Sequence, residues 1–164
     1  MKAGVIGAVI LSCLVRPALA DDCDRVVAAI VKTDHAPHYD LSTDADTGTR
    51  VQEIFTGQAI YIKAGNEDWR SDPKTGDELE ADFRRAHEDA KWSCQTSGTE
   101  AIGGETADII AVHHEDNPSE PDSRYWISQS SGLLLKMVIY ASLGRHIFQV
   151  TDTYDYKNIP APPE

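Results

Sequence analysis

The sequence has few positive charges. Lysine and arginine together number 15 against 27 aspartates and glutamates, for a formal net charge of −12. Such a chain repels nucleic acid phosphates and anionic membrane surfaces, so neither is expected as a partner. Familiar reaction motifs are also missing. There is no GxSxG, GxGxxG, P-loop or HExxH, and no acid/base pair stands out among the many surface-patterned carboxylates. No enzyme activity and no cofactor are therefore expected. After residue 20 no run is long and apolar enough to span a bilayer, so no integral membrane span is expected.

Cysteine is scarce as well, with three in the chain: Cys13, Cys23 and Cys94. Cys13 lies in a leader-like segment. Lys2 begins it, Ala3 to Val15 is nearly unbroken apolar sequence, and Ala18-Leu19-Ala20 is a small-x-small cleavage site before Asp21 and Asp22. This is the pattern of a secretory signal peptide over residues 1–20, cleaved after Ala20, which sends the rest to the periplasm. The rival reading is lipidation of Cys13. Cleavage removes Lys2 and Arg16 and no acid, which moves the net charge from −12 to −14. It leaves residues 21–164 as a single domain with room for one core. Cys23 and Cys94 then form an even pair in an oxidising compartment, and a disulfide between them is expected.

The two longest helical patterns are separated by strands. Cys23, Val26, Val27, Ile30 and Val31 recur as one helical face, with Asp22 or Asp24 to cap it. Asp77 to Trp92 is a second amphipathic helix, with Leu79, Phe83, Ala86 and Ala90 on its apolar side. The remaining pattern is strand-like, about eight strands joined mostly by short turns, which implies antiparallel neighbours. Gly103-Gly104 marks a hairpin, Gly132 and Gly144 mark turns, and Asp72 to Gly76 reads as a loop.

Three places carry side chains in patterns that suggest chemistry. His35 and His38 are three apart, and His113 and His114 are adjacent. Alternation along a strand sends the second pair to opposite faces, so no metal site is expected. Asp44 to Gly48 resembles the start of a calcium loop, but Phe55 occupies the position of the bidentate Glu. Ser71 and Lys74 have SxxK spacing, which needs a helix that the intervening Pro73 opposes.

The stretch from Leu133 to Tyr140 is the most informative. One parity holds Leu133, Leu135, Met137 and Ile139, and the other holds Leu134, Lys136, Val138 and Tyr140. A strand apolar on both faces needs cover on each side, or cover on one side and a ligand cavity on the other. Sequence leaves both open.

Trp126-Ile127-Ser128, Ser131-Gly132-Leu133, the closing Tyr154 to Pro160 segment and the Glu100 to Glu105 hairpin resemble the bacterial periplasmic lipoprotein-carrier-like (Lol carrier-like) superfamily. The resemblance covers about half of residues 21–164. The chain departs from the carriers in the two cysteines that span its middle. The resemblance implies an α+β fold: a curved antiparallel sheet, an open half barrel, with two helices covering its concave side. It also implies a non-enzymatic binder or carrier of a lipid or other hydrophobic ligand, lined by Trp126, Leu133, Leu135, Met137, Tyr61 and Phe83. The alternative is a structural or interaction protein of the envelope with a fully packed sheet. No protein partner can be named from sequence.

Overall fold

The structure, a computed structural model, describes residues 21–115, 122–143 and 146–162, of which 141–143 and 146–147 are described by their backbone alone. The leader with Cys13 and its cleavage site, most of the loop from Glu115 to Asp122, and the Gly144 turn lie outside the described residues.

Helix α1 spans Asp22–Asp34. The Asp21 side chain caps it by accepting from the Cys23 N–H, Asp22 and Asp24 sit in its first turn, and Lys32 sits in its last. Each placement suits the helix dipole. Four strands follow: β1 (His38–Asp44), β2 (Arg50–Phe55), β3 (Ala59–Ala64) and β4 (Arg70–Pro73). Helix α2 spans Gly76–Ala86, and five strands complete the chain: β5 (Trp92–Ile102), β6 (Glu105–His114), β7 (Ser123–Ser128), β8 (Leu134–Leu143) and β9 (His146–Asp155).

All nine described strands form one antiparallel sheet in the order β4-β3-β2-β1-β9-β8-β7-β6-β5. The sheet is not closed; β4 and β5 are its edges. This is the expected open half barrel with two helices. The topology explains the lid. The chain winds outward from β1 to the β4 edge, then must reach the opposite edge to begin β5. Helix α2 lies on that crossing.

Two local differences from the sequence reading have clear causes. The β4 residues fall where a loop was expected. They pair with β3, and Pro73 is tolerated because it ends an edge strand whose residues are all exposed. Helix α2 stops at Ala86 and not near Trp92. The His87 N–H donates to the Phe83 carbonyl at 3.1 Å, and His87 Nδ1 lies 2.8 Å from the same oxygen, closing the last turn. Trp92 is taken instead into the ladder opposite His114. The start of α2 is a capping box: Glu78 N–H donates to Thr75 Oγ1 and Thr75 N–H to Glu78 Oε2. At Gly103 and Gly104 both φ angles are positive, as a two-residue hairpin turn requires.

The main core lies between α1 and the sheet. Val26 and Ala29 of α1 are buried against Ile110, Val112, Tyr125, Ile127 and Leu134. Arg25 pairs with Asp108 of β6 on the same face. The Cys23–Cys94 disulfide, with Cα atoms 5.1 Å apart, fastens the start of α1 to edge strand β5. Among the described residues no helix is long and apolar enough to cross a membrane.

Candidate functional site

A strand places alternate residues on one face, so register assigns each side chain to the helix-covered inner face or the outer one. His38, Asp40 and Ser42 of β1 stand opposite Phe55, Glu53 and Val51 of β2. Asp40 and Ser42 stand opposite Tyr154 and Asp152 of β9. Met137 and Ile139 of β8 continue the row opposite Asp152 and Val150. Apart from Phe55 and Val150, these residues, with Ile30 of α1 and Leu79, Phe83 and His87 of the α2 region, line an open-sided cavity of about 510 Å3. Among the described residues, the part of the inner face beneath α2 is therefore not filled by side chains.

The cavity has two unlike sides. One is apolar, formed by Ile30, Leu134, Met137 and Ile139 with Leu79 and Phe83 of α2 above them. The other is acidic, formed by Asp34, Asp40, Glu53 and Asp152. Burial, followed by the neighbouring Asp152 and Glu53 carboxylates, pushes Asp40 up to about 8. Burial also raises Asp34 to about 6, and raises Glu53 and Asp152 above the usual carboxylate range. A hydrogen bond from Ser42 pulls Asp152 part of the way back. Burial keeps His38 neutral by lowering its pKa, and its Nδ1 donates to the Ala36 carbonyl at 2.7 Å. Two described basic side chains act on the group: His35 on Asp34, and Lys74 on Glu53, with Lys74 itself held by Asp82 at 2.6 Å.

Helix α2 is a lightly packed cover. Its only buried residue is Gly76, where an added Cβ would lie 2.7 Å from the Asp34 carbonyl oxygen of α1. Its far end carries an aromatic contact series, Phe83 to His87 at 4.5 Å and His87 to Trp92 at 5.1 Å. Phe83 and His87 also line a second cavity of about 360 Å3 beside Cys23, Val27 and Trp92. The end of α2 is thus a partition between two spaces.

The residues proposed from sequence separate in the fold. Phe83 and Met137 line the larger cavity. Trp126 and Leu135 pack together on the outer face with Ala107, where Trp126 Nε1 donates to Glu100 Oε2 at 2.6 Å and Lys136 Nζ lies 4.3 Å from its ring centroid. Tyr61 pairs with Ile54, which pairs with Tyr39, and so it also lies on the outer face. Leu133 sits in the turn before β8.

For Leu135 the cause is a β-bulge. Ile127 pairs with Leu134, but Trp126 pairs with Lys136, so Leu135 is an extra residue in β8. The bulge reverses the alternation, placing Leu134 and Met137 on the inner face. The acidic side was missed because its members come from β1, β2, β9 and the end of α1. The odd-even spacing of Asp40 and Ser42, and of Asp152 and Tyr154, carried a signal that each strand alone could not interpret.

Comparison with solved structures places this geometry. The fold is similar to that of MucB. The match to MucB has a TM-score of 0.53 at 12% identity and covers 91% of this chain and 62% of MucB. The chain therefore spans about three fifths of the MucB it matches. The structure of the Pseudomonas aeruginosa MucA/MucB complex matches at 0.51 and 13% identity, over 88% of this chain and 59% of that one. Matching structures also include a LolA superfamily protein, NE2245 from Nitrosomonas europaea. It has 12% identity and a TM-score of 0.34, and covers 87% of this chain and 96% of that one. At these identities the likeness concerns fold alone. No protein-family profile and no curated protein sequence matches the chain.

Proposed function

We propose that this is an exported, non-enzymatic protein of the periplasm that binds or carries a lipid or other hydrophobic ligand between the sheet and α2. The observation that carries this reading is the cavity of about 510 Å3 with an apolar wall of Ile30, Leu134, Met137, Ile139, Leu79 and Phe83. Its volume lies in the range of small-molecule sites. Each apolar Å2 that a ligand buries there is worth roughly 25 cal/mol. A cover fixed at Gly76 and by ion pairs such as Lys74–Asp82, but with no fully buried apolar residue, is suited to move. The leader pattern and the Cys23–Cys94 disulfide support export.

The test is to purify the protein from an exporting bacterial host, extract it with organic solvent and analyse the extract by mass spectrometry. A stoichiometric amphiphile is expected. Repeated absence of any lipid, together with no uptake of the neutral probe N-phenylnaphthylamine, would overturn the proposal and leave an envelope scaffold as the better reading.

A further inference from the structure

We infer that the ligand held in this cavity is a cationic amphiphile, an apolar chain carrying an ammonium or similar group that lies against Asp40, Glu53 and Asp152. This rests on the cavity being a ligand site, and it assigns the headgroup.

Three observations converge. The first is placement. Asp40 stands directly opposite Glu53, and Ser42 directly opposite Asp152, so three carboxylates from three adjacent strands share one wall. Like charges placed directly across a ladder are unfavourable. A sequence that keeps them inside, facing a space, departs from local consistency in the way functional sites do. The second is an unmet bonding capacity. The backbone at Leu41 and Thr153 hydrogen-bonds the Asp40 carboxyl, but its Oδ1, closed off from solvent, has no partner among the described residues. Buried polar atoms in folded proteins are rarely left so. The third is the opposite wall, which is apolar and ends at α2. A ligand that satisfies both walls has a tail and a hydrogen-bond-donating, positively charged head.

Other occupants fit less well. A fatty acid or phospholipid headgroup would bring negative charge against these carboxylates. A bare metal ion needs ligands gathered in one coordination shell, and no group of three or more such side chains is so gathered among the described residues. An ammonium group needs no full coordination shell: one hydrogen bond to a carboxylate and the attraction of the other two suffice to orient it. With no cation beside it Asp40 keeps its proton up to about pH 8, and an ammonium group there favours release of that proton and pairs with the carboxylate.

The experiment compares three probes of one chain length, dodecylamine, dodecanol and dodecanoate, by displacement of N-phenylnaphthylamine fluorescence at pH 7.5. Dodecylamine is expected to bind at least about tenfold more tightly than dodecanol, and dodecanoate most weakly; tenfold corresponds to about 1.4 kcal/mol. In the Asp40→Asn/Asp152→Asn double variant the amine preference should vanish while dodecanol binding persists, which also shows that the variant is folded. An Asp89→Asn change in the exposed turn after α2 should leave the preference intact, separating the cavity from the general acidity of the surface. Equal binding of amine and alcohol, preference for dodecanoate, or an amine preference that survives the double variant would each overturn the inference and leave the apolar-binding reading standing. Failure of all probes would overturn both.

Discussion

Asp40 and Glu53 stand directly opposite each other across the β1–β2 ladder, and both carboxylates face the cavity. The pair contributes to the pH dependence of stability. Burial and its acidic neighbours hold Asp40 up to about 8, above its ordinary 3.8. Between those values the folded protein keeps a proton that the unfolded chain has released, so stability falls as pH rises toward 8. Glu53, Asp152 and Asp34 are shifted the same way. Asp40→Asn should remove Asp40's share. Its melting temperature is expected to match the parent near pH 4 and exceed it by about 3–6 °C at pH 8. Calorimetry across that range checks this; a variant less stable than the parent at pH 8 would contradict it.

The Cys23–Cys94 bridge closes a loop of 71 residues between α1 and β5. The chain-entropy relation gives such a loop about 4 kcal/mol. A double Cys→Ser variant should lose about that much in urea unfolding, and the parent under reductant should lose the same. No difference between oxidised and reduced parent would count against the bridge as a staple.

Gly76 touches the Asp34 carbonyl too closely for any side chain. Gly76→Ala should push α2 away from α1 at a cost of about 1–3 kcal/mol. Hydrogen exchange should accelerate in α2 and leave the β6–β8 ladder protected. Parent-like exchange in α2 would show that the close approach does not hold the lid.

Trp126 packs on the outer face, away from the cavity. Trp126→Phe removes the Glu100 hydrogen bond and weakens the Lys136 contact. Stability should fall by about 1–2 kcal/mol, while N-phenylnaphthylamine affinity stays within about twofold. Phe83→Ala, at the cavity, should weaken that affinity several-fold. The reverse ranking would place the ligand on the other face.

Much of the fold was legible because its signals are local. The Val26 periodicity defines α1, although its cap is Asp21 and not Asp22 or Asp24, the Leu79 and Phe83 face defines α2, and Gly103-Gly104 defines a hairpin. The cysteine pairing followed from count and compartment. The site was only partly legible. The bulge at Leu135 arises from pairing with β7 and reverses a parity that the β8 sequence alone makes look regular. Phe83 and Met137 were found because helix and strand periodicity put them on apolar faces. Asp40, Glu53 and Asp152 were not, since their proximity depends on β1 meeting β9, strands more than a hundred residues apart in sequence.

The most direct test is to fill the cavity from within. Met137 lines it on β8, opposite Asp152. Met137→Trp should retain a cooperative thermal transition yet lose at least about tenfold in N-phenylnaphthylamine affinity, a change of about 1.4 kcal/mol. A folded Met137→Trp variant that takes up the probe as well as the parent would show that the space between the sheet and α2 is not where an apolar ligand binds.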